Sequence, residues 1–186
     1  MADVYLPAES QTRLIEIARH TLEAVIRGCP RQNVASNDPN LENACYGAFV
    51  TLFNQDELRG CIGTCTPSRS LRDTVTDMTE AAATRDRRMR PVRPDELAQV
   101  RIDISVLSPL MRAVDPLALE IGKHGLYVAS TRKRGVLLPQ VAVEYGWDIK
   151  TFLEQTCVKA NLPKDAWGWR GTLVSSFTAL IIKEDK

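Results

Sequence analysis

The chain has 186 residues, 44% of them hydrophobic and 25% charged, with a formal net charge of +1. That length fits one domain burying roughly 70% of its unfolded surface, and the near-zero charge excludes a global drive toward nucleic acid, leaving local patches as the only route. No run approaches a membrane span and the start lacks a basic region followed by an apolar core, so no membrane contact and a cytoplasmic location are expected.

Residues 9–28 read as an amphipathic helix, with Leu14, Ile17, Ala18, Leu22, Val25 and Ile26 on one stripe and Gly28 and Pro30 closing it. A polar, turn-rich loop is expected over 29–44. Gly47–Phe53 and Leu58–Gly63 then form a β-hairpin across the polar cluster 54–57. Strict alternation in its second strand puts Arg59, Cys61 and Gly63 on one face. Two glycines in six strand positions give up stability and mark a close approach of backbone or ligand. Thr66 and Pro67 look like an N-cap and first helical position, with Leu71, Val75, Met78 and Ala82 continuing to about Thr84. That cap would set a helix N-terminus beside Cys61, able to favour a thiolate there.

A basic, proline-punctuated segment covers 85–94. Gln99–Leu107 alternates as a half-buried strand, with Ile102, Ile104 and Val106 inward. Asp115 starts a helical turn, residues 122–125 a tight turn, and 126–129 a strand. Residues 132–135 read as a basic hairpin tip before a strand at 136–138. Pro139 opens a short helix ending at Gly146, and Asp148 caps another. Gly171–Ile182 reads as one final strand. Hairpins separated by isolated helices indicate an α+β fold with a largely antiparallel sheet flanked by helices.

Five cysteines without a signal peptide favour reduced thiols over a disulfide framework. With only His20 and His124 and no Cys-x-x-Cys pair, no metal site is expected. Cys61 and Cys65 start like an iron–sulfur loop, but Ser68 occupies the third position. Cys61 is the candidate nucleophile, weighed against a cysteine that merely fills core space. Cys65 is a conceivable resolving thiol, and packing is the better role for Cys157. His124, between glycines, is the candidate base or a hydrogen-bonded turn residue. Arg59, Gly60, Gly63, Arg88 and Gln140 are candidate substrate contacts. The arginines of 85–93 and 132–134 either clamp phosphates or form a solvated surface. No aromatic interleaves them in sequence, which argues against base stacking; Trp167 and Trp169 form either an exposed aromatic patch or lobe contact beside Arg170 or, the favoured reading, core.

Leu58-Arg59-Gly60-Cys61-Ile62-Gly63 resembles, residue for residue, the signature of the AMMECR family. Gly47–Val50, Ser105–Leu107, Gly122–Leu126, Leu137–Ala142 and Gly146–Asp148 fit in the same order. At 86–91 the family usually reads Asp-Pro-Arg-Phe-Pro-Pro, so Arg87, Met89 and Arg90 depart from it and make the segment more basic. The resemblance implies a single α+β domain in two unequal lobes, the smaller one formed by insertions around 85–100 and 141–170. It implies no firm activity and leaves any cofactor unknown. It suggests an enzyme component of a modification pathway with a Memo-type, dioxygenase-like partner, acting through a cleft around Cys61, His124 and Arg88. The other reading is a non-catalytic module binding RNA, a nucleotide or a protein. Both rest on analogy of fold and association.

Overall fold

The structure, a computed structural model, describes residues 3–30 and 37–185. The chain divides into two compact units, one holding Ser108–Ala179 and the other Tyr5–Leu107 with the segment from Leu180 onward. The segment 85–100 lies in the larger unit and 141–170 in the smaller. Each unit has its own four-stranded sheet.

In the larger unit the apolar stripe makes helix α1, Ala8–Ile26, with Leu14, Ile17, Ala18 and Leu22 buried. The expected loop 29–44 holds a short helix α2, Pro39–Glu42, capped by Asp38, which accepts the Asn40 N–H at 2.9 Å. Residues 31–36 of that loop lie outside the described residues. Strands β1, Gly47–Asn54, and β2, Glu57–Thr64, form the expected antiparallel hairpin. Helix α3 covers Leu71–Thr84, and its cap is Ser70, whose hydroxyl accepts the Asp73 N–H. Thr66 lies in a bend and Pro67 in irregular chain before it, so the helix starts later than the proline suggested. Strand β3, Val100–Leu107, follows. The sheet order is β2-β1-β3-β8, where β8 is Ala179–Lys183. Helix α3 packs on β1 and β2, and α1 on α3. The covered face carries Ala48, Val50, Leu52, Ile102 and Ile104, all fully buried.

In the smaller unit, β4 (Met111–Arg112), β5 (Gly125–Ser130), β6 (Lys133–Leu137) and β7 (Leu173–Phe177) run in the order β4-β7-β5-β6. Helices α4, Pro139–Glu144, and α5, Ile149–Lys159, accompany them. Asp148 caps α5 as expected, accepting the Thr151 N–H at 2.7 Å. Leu126, Val128, Phe152, Leu153, Cys157 and Val174 form the core.

Two expectations are corrected here. The basic tip is a two-residue turn, Thr131–Arg132, and Lys133, Arg134 and Gly135 already lie in β6. The final strand is two strands, broken at Thr178, whose carbonyl accepts the Ser108 N–H and whose N–H donates to the Ser108 hydroxyl. Those bonds take Thr178 out of regular pairing, and the chain changes sheets there. Continuous apolar character hid the break.

Candidate functional site

The β1–β2 ladder pairs Leu52 with Gly60 but Phe53 with Leu58, so Arg59 is an extra residue, a bulge. The bulge interrupts alternation, and the shared face expected for Arg59 and Cys61 does not follow from period two. The Arg59 side chain is buried. It donates to Glu96 at 2.8 Å and to the carbonyls of Arg90 and Pro91. The Arg59 guanidinium holds the Glu96 carboxyl down to about 2. Arg59 therefore ties β2 to the 90–96 segment and is not a free anion contact.

Both signature glycines are set by neighbours. A Cβ on Gly60 would lie 2.1 Å from the Ala82 carbonyl oxygen, so the last turn of α3 rests on this strand. The helix end that meets β2 at Gly60 is thus the C-terminal one, which offers a negative dipole end. The expected activation of Cys61 by a helix N-terminus is not built here. A Cβ on Gly63 would lie 2.2 Å from the Phe49 ring, which covers that glycine from β1.

Cys61 itself sits at the open edge of the sheet. Its N–H donates to Asp86 Oδ2 at 2.9 Å and its carbonyl accepts from Arg88 Nη2 at 2.9 Å. Arg88 also grips Asp86 through Nε and Nη2, at 2.9 and 2.6 Å. This ion pair takes the place of a neighbouring strand. Arg88 holds the Asp86 carboxyl well below the usual carboxylate range. Arg88 remains about half exposed, and its Nη1 makes no hydrogen bond among the described residues.

With its backbone groups pointing outward, Cys61 faces Thr51 as a non-hydrogen-bonded pair, in which side chains come closest. The Thr51 hydroxyl donates to Cys61 Sγ at 3.4 Å. Across β1, Thr51 pairs in turn with Asp103 on β3. A thiol, a hydroxyl and a carboxylate therefore form one row over three strands, on the face opposite α3. Burial pushes the Asp103 carboxyl up, against the pull of Arg101 at 2.8 Å. Arg101 also lies over the Phe53 ring, 5.0 Å from its centroid. Thr51 and Asp103 were not candidates from sequence; hairpin register would have found them.

Burial pushes the Cys65 thiol up to about 12 and raises that of Cys157 as well, so neither suits thiol chemistry and Cys65 is no resolving partner. Cys29 and Cys45 are exposed. His124 and Gln140 belong to the smaller unit. His124 Nδ1 accepts the Glu120 N–H at 3.0 Å, which leaves Nε2 as the nitrogen carrying the proton in the neutral ring. Gln140 is half-buried at the second position of α4. Among the described residues no cluster of three or more His, Cys, Asp and Glu side chains could hold a metal, and no helix is long and apolar enough to cross a membrane.

The chain matches the AMMECR1 family model over residues 15–182. A protein of Methanothermobacter thermautotrophicus is 39% identical over 178 residues, covering 92% of this chain and 93% of that protein. Protein MJ0810 of Methanocaldococcus jannaschii is 35% identical, covering 96% and 92%. The crystal structure of the uncharacterized protein PH0010 from Pyrococcus horikoshii superposes with a TM-score of 0.88 at 34% identity, covering 97% of this chain and 94% of that one. The same α+β fold and the match along nearly the whole length place this chain in the AMMECR1 family.

Proposed function

We propose that the chain is a thiol-dependent enzyme component whose reactive group is Cys61. The observation that supports this reading is the Thr51 hydroxyl donating to Cys61 Sγ on a half-exposed face, with Asp103 next in the row. A hydroxyl donor on the thiol fixes where the sulfur sits. Asp103, whose carboxyl is pushed up by burial, is the group in the same unit suited to carry a proton. It takes the role expected of His124. Arg88 Nη1, which Asp86 does not engage, is the contact for an anionic substrate group.

A second reading, a non-catalytic binding module, draws support from Arg59, Gly60 and Gly63, all of which are occupied by packing. Of the partners the family resemblance implies, RNA or a nucleotide would find only the Nη1 of Arg88 at this site, because Arg59 is engaged by Glu96. A protein of the Memo type has no such requirement.

A generic acyl donor separates the readings. With p-nitrophenyl acetate, Cys61 sulfur attacks the carbonyl, the S–C bond forms, the acyl C–O bond breaks to release p-nitrophenolate, and the thiol proton passes by way of Asp103 to solvent. A burst of one equivalent, with the acetyl group mapped to Cys61 and abolished in Cys61→Ser, is the expected result. A burst that persists in Cys61→Ser, or none at all, favours the binding module.

A further inference from the structure

The smaller unit assembles a basic patch that its sequence scatters. Residues 132–134, the end of α5 and the turn before β7 are far apart along the chain. Three local interactions bring them together. A Cβ on Gly135 would lie 2.5 Å from the Thr156 carbonyl oxygen and 2.6 Å from the Ala160 nitrogen, so β6 starts hard against the last turn of α5. Lys133 Nζ donates to the Asn161 carbonyl at 2.7 Å. On the other side, the Ser130 hydroxyl donates to the Gly171 carbonyl at 3.4 Å.

Arg132, Arg134, Lys159 and Arg170 thereby come from segments that meet at one end of the sheet, with Arg134 on the face away from α5. All four are exposed and, among the described residues, none has a carboxylate partner. Trp169, the residue before Arg170, is 47% exposed rather than in the core. Its indole N–H donates to Asp165 Oδ2 at 3.2 Å, which holds the half-exposed ring and engages that carboxylate. The hairpin tip is held in an unusual shape: Thr131, β-branched, has φ 53°. Such residues favour negative φ, and their outliers gather at binding sites.

From this juxtaposition we propose that the smaller unit binds single-stranded nucleic acid, with the Arg132, Arg134 and Arg170 guanidiniums on phosphates and Trp169 stacked on a base. Arginine's planar fork matches phosphate oxygens, and a base on a fixed aromatic face needs no particular sequence. The aromatic interleaving that the linear sequence lacks is supplied by the fold. An anionic membrane or an acidic polypeptide would use the charges without needing the ring. The site lies in a different unit from Cys61 and stands apart from the thiol reading.

The test is fluorescence anisotropy of the full chain with a labelled oligouridine of roughly 12 nucleotides, across about 50 to 200 mM salt. Binding should fall with salt. Arg132→Gln with Arg134→Gln should weaken it about tenfold or more and flatten the log–log salt slope by roughly 0.7 for each phosphate no longer neutralised. Trp169→Ala should weaken it on the order of tenfold, Trp169→Phe far less. Cys61→Ser should leave it unchanged. Circular dichroism confirms that each variant is folded. The proposal is overturned by absence of binding at low salt, or by indifference to the double substitution. Equal binding of polyglutamate or phosphatidylserine vesicles, with Trp169→Ala without effect, also overturns it and assigns the patch to an acidic protein or a membrane.

Discussion

The Asp86 carboxylate accepts the backbone N–H of Cys61 at 2.9 Å, so a side chain 25 residues downstream completes the edge of the strand that carries the thiol. Edge strands expose unpaired backbone groups and invite pairing with other chains. The Asp86–Arg88 pair closes that edge at Cys61, the proposed reactive residue.

Asp86→Ala removes the charged acceptor from the Cys61 N–H. The expected loss is about 1.5 to 3 kcal/mol, the range for a hydrogen bond to a charged group, read by urea denaturation. Concentration-dependent self-association through the opened edge should accompany it, measurable by light scattering.

Arg59 and Glu96 form a buried pair. Removing one partner leaves the other charge uncompensated, so Arg59→Ala should cost about 3 to 5 kcal/mol, whereas Arg59→Met with Glu96→Gln should cost much less. The pH dependence follows from the depressed carboxyl. Glu96 falls from its ordinary 4.5 to about 2 in the folded chain. Its contribution is therefore present above about pH 4.5 and lost as pH falls toward 2. Stability of the chain should decline through that window, and Glu96→Gln should flatten the decline.

The two signature glycines should differ in tolerance. Gly60→Ala meets a helix carbonyl that cannot move alone, and should cost about 3 kcal/mol or prevent folding. Gly63→Ala meets the Phe49 ring and also the Ala48 carbonyl oxygen, at 2.6 Å, so adding Phe49→Ala should relieve only part of its cost. Thermal melts of Gly60→Ala, Gly63→Ala, Phe49→Ala and the Gly63→Ala, Phe49→Ala pair check this.

Asp103 runs the other way from Glu96. A carboxyl whose folded value is raised holds its proton longer in the folded chain, so its ionisation lowers stability as pH rises. Asp103→Asn should raise the melting temperature at pH 7, with a smaller gain at pH 4. As the proposed proton carrier, Asp103 should also be needed for the acyl burst, and the same variant should lose it.

Much of this fold was legible. The stripe of α1, the alternation of β3 and the Asp148 cap are local signals, and each stands where its spacing put it. Where the chain follows tertiary demands the sequence was silent. Pro67 promised a helix start that packing delayed to Leu71, and the Arg59 bulge broke an alternation that nothing local contradicts. The strand change at Thr178 depends on Ser108, 70 residues away. The site followed the same division: Cys61 stood out by its glycines, while Thr51, Asp86 and Asp103 became visible only through register and long-range hydrogen bonding. Trp169 is the plainest case, because its exposure depends on a turn closed from another strand.

Whether Cys61 is a reactive thiol is decided by peptide-resolved alkylation of all five cysteines with iodoacetamide, in the folded chain and in Thr51→Val. Cys61, although only half-exposed, should react faster than the exposed Cys29 and Cys45. Loss of the Thr51 donor should remove that advantage, and the buried Cys65 and Cys157 should stay unlabelled until unfolding. If Cys61 instead labels only on unfolding, together with those two, the thiol is a packing residue and the enzyme reading is wrong.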